Sequence, residues 1–228
     1  MDIEATVPFC YPIRVLEDDR ITLAPFTEKH GHAYYEATAA DPLAFAHFSS
    51  GPYDSAAAFI ETFLLGRSYP DRHMFTFAIV DKAPPGSAQD GDGAALAGMV
   101  SLVNADEVNR RADIGLLHVV PGAQSQGTGT RAAKLLLEYG FSSVEAGGLG
   151  LVRMEWRADS NNGASAKLAR RLGFREIGTV QYEKLLKDGV ARGKTGNGRS
   201  APPGTASGDL WRDVAVYEMT FETWQHNK

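Results

Sequence analysis

The run Gln124, Ser125, Gln126, Gly127, Thr128, Gly129 is where residue types and spacing in this chain most directly imply chemistry. It follows an apolar stretch ending in Val119, Val120 and Pro121 and leads into a segment with helical periodicity. The first amides of a helix lack acceptors within it, and the helix dipole puts partial positive charge at that end. Glycines let a backbone approach an anion closely. A QxxGxG turn between a core strand and an amphipathic helix is therefore suited to cradle a diphosphate. No Lys-Ser or Lys-Thr pair follows the second glycine, which separates it from a Walker loop. Nor does it have the GxGxxG spacing that a dinucleotide fold places after its first strand. A plain strand-to-helix turn, with glycines for tight packing, is the reading that needs no ligand.

The elements that must hold this turn can be read in order. Arg20 to Phe26 (RITLAPF) alternates as a first strand. Thr27 offers an N-cap hydroxyl to a helix reaching about Ala40, with Ala33, Tyr34 and Ala37 on one face. Ser55 caps a second helix, whose apolar stripe is Phe59, Ile60, Phe63 and Leu64. His73 to Val80 and Leu96 to Val103 are rich in β-branched and aromatic residues and read as strands, joined by a polar, mobile hairpin loop from Asp81 to Gly93. Arg111 to Val120 becomes wholly apolar toward its end, as a strand at the centre of a sheet does.

A helix from Thr128 to Phe141 turns Ala132, Leu135, Leu136 and Tyr139 inward. In the strand Leu151 to Ala158, Val152, Met154 and Trp156 face one way and Arg153, Glu155 and Arg157 the other. Asn162 caps a helix carrying Ala164, Leu168 and Leu172, and Gly173 ends it in the left-handed conformation. A short strand from Glu176 to Tyr182 and a last one from Arg212 to Phe221 flank Lys187 to Gly208. That stretch has six glycines and two prolines and no periodicity, and it reads as a long flexible loop. The layout is mixed α/β around one sheet, a single domain over residues 1–228 with flexible segments at about 1–12, 81–94 and 187–208.

Composition narrows the function classes. A chain of 228 residues with 43% hydrophobic and 22% charged residues can bury a real core. A net charge of -5 argues against a nucleic-acid module, which needs a basic patch, and against an anionic membrane surface. The lone Cys10 excludes an internal disulfide framework and a multi-thiolate metal site, and none of the six histidines has convincing ligand spacing. The expectation is a cytoplasmic protein, monomer or homodimer, without a metal.

Beyond the loop, the runs DIGLLHVVPGAQSQGTGTRAAKLLLEYGF, RMEWRADSNNGASAKLARRLGF and RDVAVYEMTFETW, with DDRITLAPFTEKH near the start, carry a resemblance. Together they resemble the GNAT superfamily of N-acetyltransferases, in its RimJ/RimL-type branch, over most of the chain from Arg20 to Trp224. The resemblance implies an α/β (α+β) GNAT fold: a central mixed, mostly antiparallel sheet of about seven strands, splayed in the middle and flanked by about four helices. It implies acetyl-CoA as co-substrate and direct attack by an amine, either a small molecule or a protein N-terminus. Backbone amides of Gln126, Gly127, Thr128, Gly129 and Thr130 would then hold the diphosphate, with Gln124 at the first motif position. Backbone groups of His118, Val119 and Val120 would pair with the pantetheine arm. Asn162 and Ser165 match positions next to the thioester, where Ser165 would protonate the departing thiolate. Each has a second reading as part of a helix cap.

For the proton that the amine must lose, Glu155 and Asp113 match positions that are acidic in relatives. Glu155 could instead pair with Arg153 or Arg157, and Asp113 with Arg111. His118 is either a base or a satisfied core histidine, and Tyr217 either an acid or core packing. Arg131 departs from the branch, which commonly has an acidic residue there. Either a local ion pair is missing or the arginine reaches the 3′-phosphate of CoA. The long 187–208 segment also departs, and reads either as a basic lid over the acceptor or as an insertion without function. A catalytically silent CoA-binding protein and an interaction domain that uses the turn only for packing are the competing functions.

Overall fold

Side chains at three helix starts fix the local frame. In the computed structural model, which describes residues 7–41, 43–82 and 94–228, Thr27 accepts from the His30 amide, Ser55 from Ala58 and Asn162 from Ser165. These caps open α1 (Glu28–Thr38), α2 (Ala56–Phe59) and α4 (Gly163–Arg171). Of the expected flexible segments, residues 1–6 and 83–93 lie outside the described residues.

The strands are β1 (Leu16–Glu17), β2 (Ile21–Pro25), β3 (Phe75–Asp81), β4 (Ala95–Asp106), β5 (Arg111–Val119), β6 (Arg153–Asp159), β7 (Arg175–Leu186) and β8 (Leu210–Thr220). They form one sheet in the order β1-β2-β3-β4-β5-β6-β8-β7. All pairs are antiparallel except β5 with β6. The sheet therefore has eight strands where about seven were expected; the extra one is the two-residue β1, too short for alternation to reveal. The helices α3 (Thr128–Phe141) and α5 (Phe221–His226) complete the fold. The short α5 begins at Phe221, where the last strand was expected to end. No described helix is long and apolar enough to cross a membrane.

One core packs α3, α4 and α5 on one face of the sheet, and a second packs α1 and α2 on the other. A 14-residue helix is marginal in water by itself. Packing holds α3: Ala132, Ala133 and Leu136 have no exposed surface, and burying a leucine side chain contributes about 2 kcal/mol. The stripe Phe59, Ile60, Phe63 and Leu64 is buried as its spacing predicts. Beyond Phe59, however, the helix widens into π geometry over Ile60–Ser68, and the Tyr69 amide reaches the Leu64 carbonyl at 2.9 Å. On β6, Met154 and Trp156 face the core while Val152, ahead of the strand, is exposed.

Two irregularities position the site. Parallel pairing between β5 and β6 runs from Arg111↔Arg153 to Ile114↔Trp156 and then stops, although β5 continues to Val119 and β6 to Asp159. The strands part there, which is the expected splay. Opposite Val100 of β4, β5 carries two residues, Leu116 and Leu117, with Leu116 at φ 51°, a bulge that re-aims the strand just where the splay opens.

The segment expected to be a long flexible loop, 187–208, makes an ordered set of hydrogen bonds. The Lys194 ammonium donates to the Phe45 and Ser50 carbonyls at 2.8 and 2.6 Å, and the Arg192 guanidinium to Ser49 and Gly51. The Thr195 amide donates to the Ala46 carbonyl, and Asn197 and Arg199 to the Asp213 carboxylate. Glycine content reads as flexibility in sequence, but these distant partners tie the segment to residues 45–51.

Candidate active site

The splay opens a cleft of about 990 Å³, floored by β5 and β6 and bordered by the glycine turn, the start of α4 and the segment 47–49. Gly127 sits at the N-cap of α3 with φ 83°, a left-handed conformation that glycine adopts without strain, and a side chain there would meet nothing within 4 Å. The Arg131 amide makes the first helical bond, to the Gly127 carbonyl at 3.0 Å, so the amides before it point out of the helix end. Gly127, Thr128, Gly129 and Thr130 all border the cleft. Arg171 of α4 reaches across to donate to the Thr130 hydroxyl at 2.5 Å, adding a cation to this end. This cradle, open at its front and rich in directed amides, fits a diphosphate.

Gln124 borders the cleft and uses its side-chain amide to hold the Val119 carbonyl at 3.1 Å. Gln126 turns its side chain back to the Gly122 carbonyl and is not among the residues lining the cleft. Arg131 is bound by the turn between β1 and β2, at 2.9 Å from Asp18 and 2.6 Å from Asp19. Of the two sequence alternatives, a missing local ion pair and a contact to phosphate, the structure shows the guanidinium ion-paired with this distant turn.

Of the three residues expected to pair with pantetheine, Val119 alone presents its backbone to the splay. The Val120 amide donates to the Ala97 carbonyl of β4 at 3.0 Å, and the Val120 carbonyl accepts from Ala123. Backbone direction alternates along a strand, so His118, opposite Met99, also turns toward β4, while Val119 turns toward β6. The expectation for Val120 and His118 is corrected accordingly. The His118 ring is buried against Tyr34, whose hydroxyl hydrogen-bonds its Nδ1, and burial pushes its pKa down to about 4. Burial keeps the ring neutral, and the residue also lines the cleft.

At the other end, Trp156 donates its indole N–H to Ser165 Oγ at 2.8 Å, and Asn162 holds the Ser165 amide at 3.0 Å. All three line the cleft. Asp113 also lines it; burial raises its carboxyl to about 6, opposed by a hydrogen bond from Asn104 at 2.6 Å. Glu155 and Tyr217 do not line it. Glu155 is held on the polar face of β6 by Arg153 at 2.8 Å and Arg157 at 3.8 Å, the ion-pair alternative. Tyr217 is buried in the core with the Arg170 guanidinium 5.5 Å above its ring, and burial raises its pKa. Ion pairing accounts for Glu155 and packing for Tyr217.

Other cleft residues carried no local signal in the sequence. His47 and Asp159 are 112 positions apart yet bonded at 2.7 Å. Arg212 lies 3.3 Å from the same carboxylate and donates to the His47 and Ala46 carbonyls. Only a lone histidine in a turn marked this place.

The cradle, the splay and the bulge lie along one cleft, and comparison with known proteins gives the family of the chain that forms it. Residues 20–175 match the family model of the acetyltransferase (GNAT) domain, and the chain belongs to that family. Over 90 residues it is 36% identical to the spermidine N(1)-acetyltransferase of Escherichia coli (strain K12), covering 40% of this chain and 45% of that protein. The chain thus spans about half the length of the curated relatives it matches. In fold it is similar to a GCN5-related N-acetyltransferase from Brucella melitensis, with TM-score 0.72 and 24% identity over 96% of this chain and 84% of that one. It is also similar to the spermidine N-acetyltransferase from Vibrio cholerae in complex with CoA and spermine, with TM-score 0.62 and 17% identity over 91% and 99%.

Proposed function

We propose that this protein is an acetyl-CoA-dependent N-acetyltransferase of the RimJ/RimL-type branch, one domain that moves an acetyl group to a primary amine by direct attack. The observation that carries the reading is the juxtaposition, in one cleft, of the open α3 cradle and the Trp156–Ser165 pair at the edge of the splay. The amides from Gly127 to Thr130 would hold the diphosphate, and Val119 would pair with the pantetheine arm. Bound there, acetyl-CoA supplies an activated acyl group. The protein's own contribution is to orient the amine, exclude water and move protons.

Ser165 is suited to donate a proton to the departing sulfur. One lone pair of its oxygen is occupied by the Trp156 N–H, which leaves the hydroxyl hydrogen free to point into the cleft. The acceptor is a primary amine, and a small-molecule amine is favoured by the likeness to relatives named for spermidine. A protein N-terminus is the alternative acceptor. A cytoplasmic setting fits a chain with a single, unpaired cysteine.

Incubating the protein with acetyl-CoA and a panel of amines, while following free thiol, tests the reading. Amine-dependent thiol release supports it. Calorimetric CoA binding without turnover on any amine would leave a catalytically silent CoA-binding protein, and no binding would reduce the turn to packing.

A further inference from the structure

We infer that His47, held by Asp159, is the group that takes the proton from the incoming amine, which is a role for this chain's own dyad within the proposed acetyl transfer and rests on that reading. His47 lies in the turn between α1 and α2, on the face of the sheet that carries the second core, and borders the same cleft as Asn162 and Ser165. Its Nδ1 is 2.7 Å from the Asp159 carboxylate, whose side chain has no exposed surface, while about a third of the His47 side chain is open, 34%.

The bonding sets the tautomer. An ionised carboxylate only accepts, so Nδ1 carries the hydrogen and the lone pair of the neutral ring is on Nε2. Asp159 is itself fixed on both oxygens: Oδ1 accepts from the Asn161 amide at 3.0 Å, and Oδ2 faces the Arg212 guanidinium at 3.3 Å. Asp159 also leads directly into the α4 cap, since its carbonyl accepts from the Asn162 amide at 2.8 Å. The base and the thioester end of the cleft are thereby built on one short stretch of chain. The backbone under His47 is held as firmly, by Arg212 on its own carbonyl and by Lys194 on the carbonyl of Phe45.

The charged and titratable groups around His47 are Asp159 of β6 and Arg212 of β8, with Arg67, Asp113, His118, Arg157, Arg171, Glu183 and Lys184 elsewhere on the cleft wall. Among these, Asp113 lies before the splay, where β5 and β6 are still paired, and it is already bonded to Asn104. His47 and Asp159 lie beyond it, and Ser165 is bonded to Trp156 at the last paired position, on the edge of the splay. Asp159 is a positioning residue that orients the ring and steadies the imidazolium.

The protons balance as follows. An ammonium gives one proton to His47 Nε2, and its freed lone pair forms the N–C bond as the C–S bond breaks. A second proton passes to the sulfur by way of Ser165, the third stays on the new amide, and His47 returns its proton to solvent.

The test uses the full chain with acetyl-CoA and the best amine from the panel. His47→Gln keeps the size of the side chain and a donor toward Asp159 but cannot take a proton. It is expected to lower kcat by about 100-fold or more and to lose the acidic limb of the kcat/KM profile against pH, with CoA affinity by calorimetry within about threefold of the parent. A second variant, His47→Ala, is expected to regain turnover when free imidazole is added, which a merely structural role would not allow. If the parent turns over amines and His47→Gln keeps both rate and pH profile, this role is overturned while the acetyltransferase reading stands. If the parent binds CoA and acetylates nothing, both are overturned.

Discussion

The indole N–H of Trp156 is 2.8 Å from the Ser165 hydroxyl oxygen, so a residue on the floor of the cleft sets the direction in which a residue of α4 can donate a proton. Removing the donor should cost more than removing its guide. Ser165→Ala is expected to reduce kcat by about 100-fold, within the range of acid–base catalysis, with CoA affinity little changed. Trp156→Phe, which keeps the ring but frees the hydroxyl rotor, is expected to reduce it by about tenfold, the effect of losing one ordinary hydrogen bond. Steady-state kinetics on both variants, with calorimetric CoA titration, checks the ranking.

Gly127 allows two effects to be separated because a side chain there meets no neighbour within 4 Å. Gly127→Ala is expected to cost about 1 kcal/mol of stability, since its φ of 83° suits glycine. Gly127→Glu should add little to that cost yet weaken CoA binding by at least about 100-fold, roughly 2.7 kcal/mol, by placing negative charge in the cradle. Thermal melting and CoA calorimetry on the pair distinguish strain from repulsion. An unchanged CoA affinity in Gly127→Glu would move the cofactor elsewhere.

Asp113 makes stability depend on pH with a definite sign. Its folded carboxyl is raised to about 6, against roughly 3.9 in an unfolded chain. Between those values the folded state holds a proton that the unfolded chain has released, so this contribution falls as pH rises through the window. Above it, the buried carboxylate costs about 3 kcal/mol. Asp113→Asn is therefore expected to exceed the parent by about that amount at pH 8 and to match it near pH 4, read from urea midpoints. His118, lowered to about 4 by burial, works in the opposite sense in the same window but is common to both proteins and cancels. Turnover should survive the substitution; a loss beyond about 100-fold would give Asp113 the proton-accepting role.

The 187–208 segment contains Lys187, Arg192, Lys194 and Arg199, all sites for trypsin if the chain there were loose. Slow cleavage is expected instead, because Lys194 and Arg192 donate to carbonyls of residues 45, 49, 50 and 51. Losing the two bonds of Lys194 should open the segment by about 2 kcal/mol and speed cleavage about tenfold or more. Limited proteolysis of Lys194→Met beside the parent measures this. Rapid cleavage of the parent would return the segment to the flexible reading.

What could be read from the sequence was whatever depends on neighbours in the chain. Thr27, Ser55 and Asn162 cap the helices they precede because a cap joins a side chain to an amide three residues on. The apolar face of α3 follows from its period, and Gly127 marks a left-handed turn because only glycine adopts it freely. The splay and the bulge at Leu116 carry no local signature: the splay entered through likeness to a family, and the bulge is seen only in the structure. Composition gave no sign of the bonds made by the 187–208 segment, since their partners lie about 150 positions away, as with Lys194 and Phe45, 149 apart.

The amino-acid sequence by itself determined the glycine turn that opens α3, because open amides and a left-handed glycine are properties of a few consecutive residues at a helix start. The flanking segments, taken with that turn, pointed to the family. Only the tertiary structure decided which charged groups are spent and which face the cleft. Arg131 goes to Asp18 and Asp19, Glu155 to its neighbouring arginines, and His47 to Asp159 across 112 positions. The reason is that a charge takes whatever partner the packed sheet brings within a few ångströms, and which strands and turns become neighbours is settled by burial of the two cores rather than by distance along the chain.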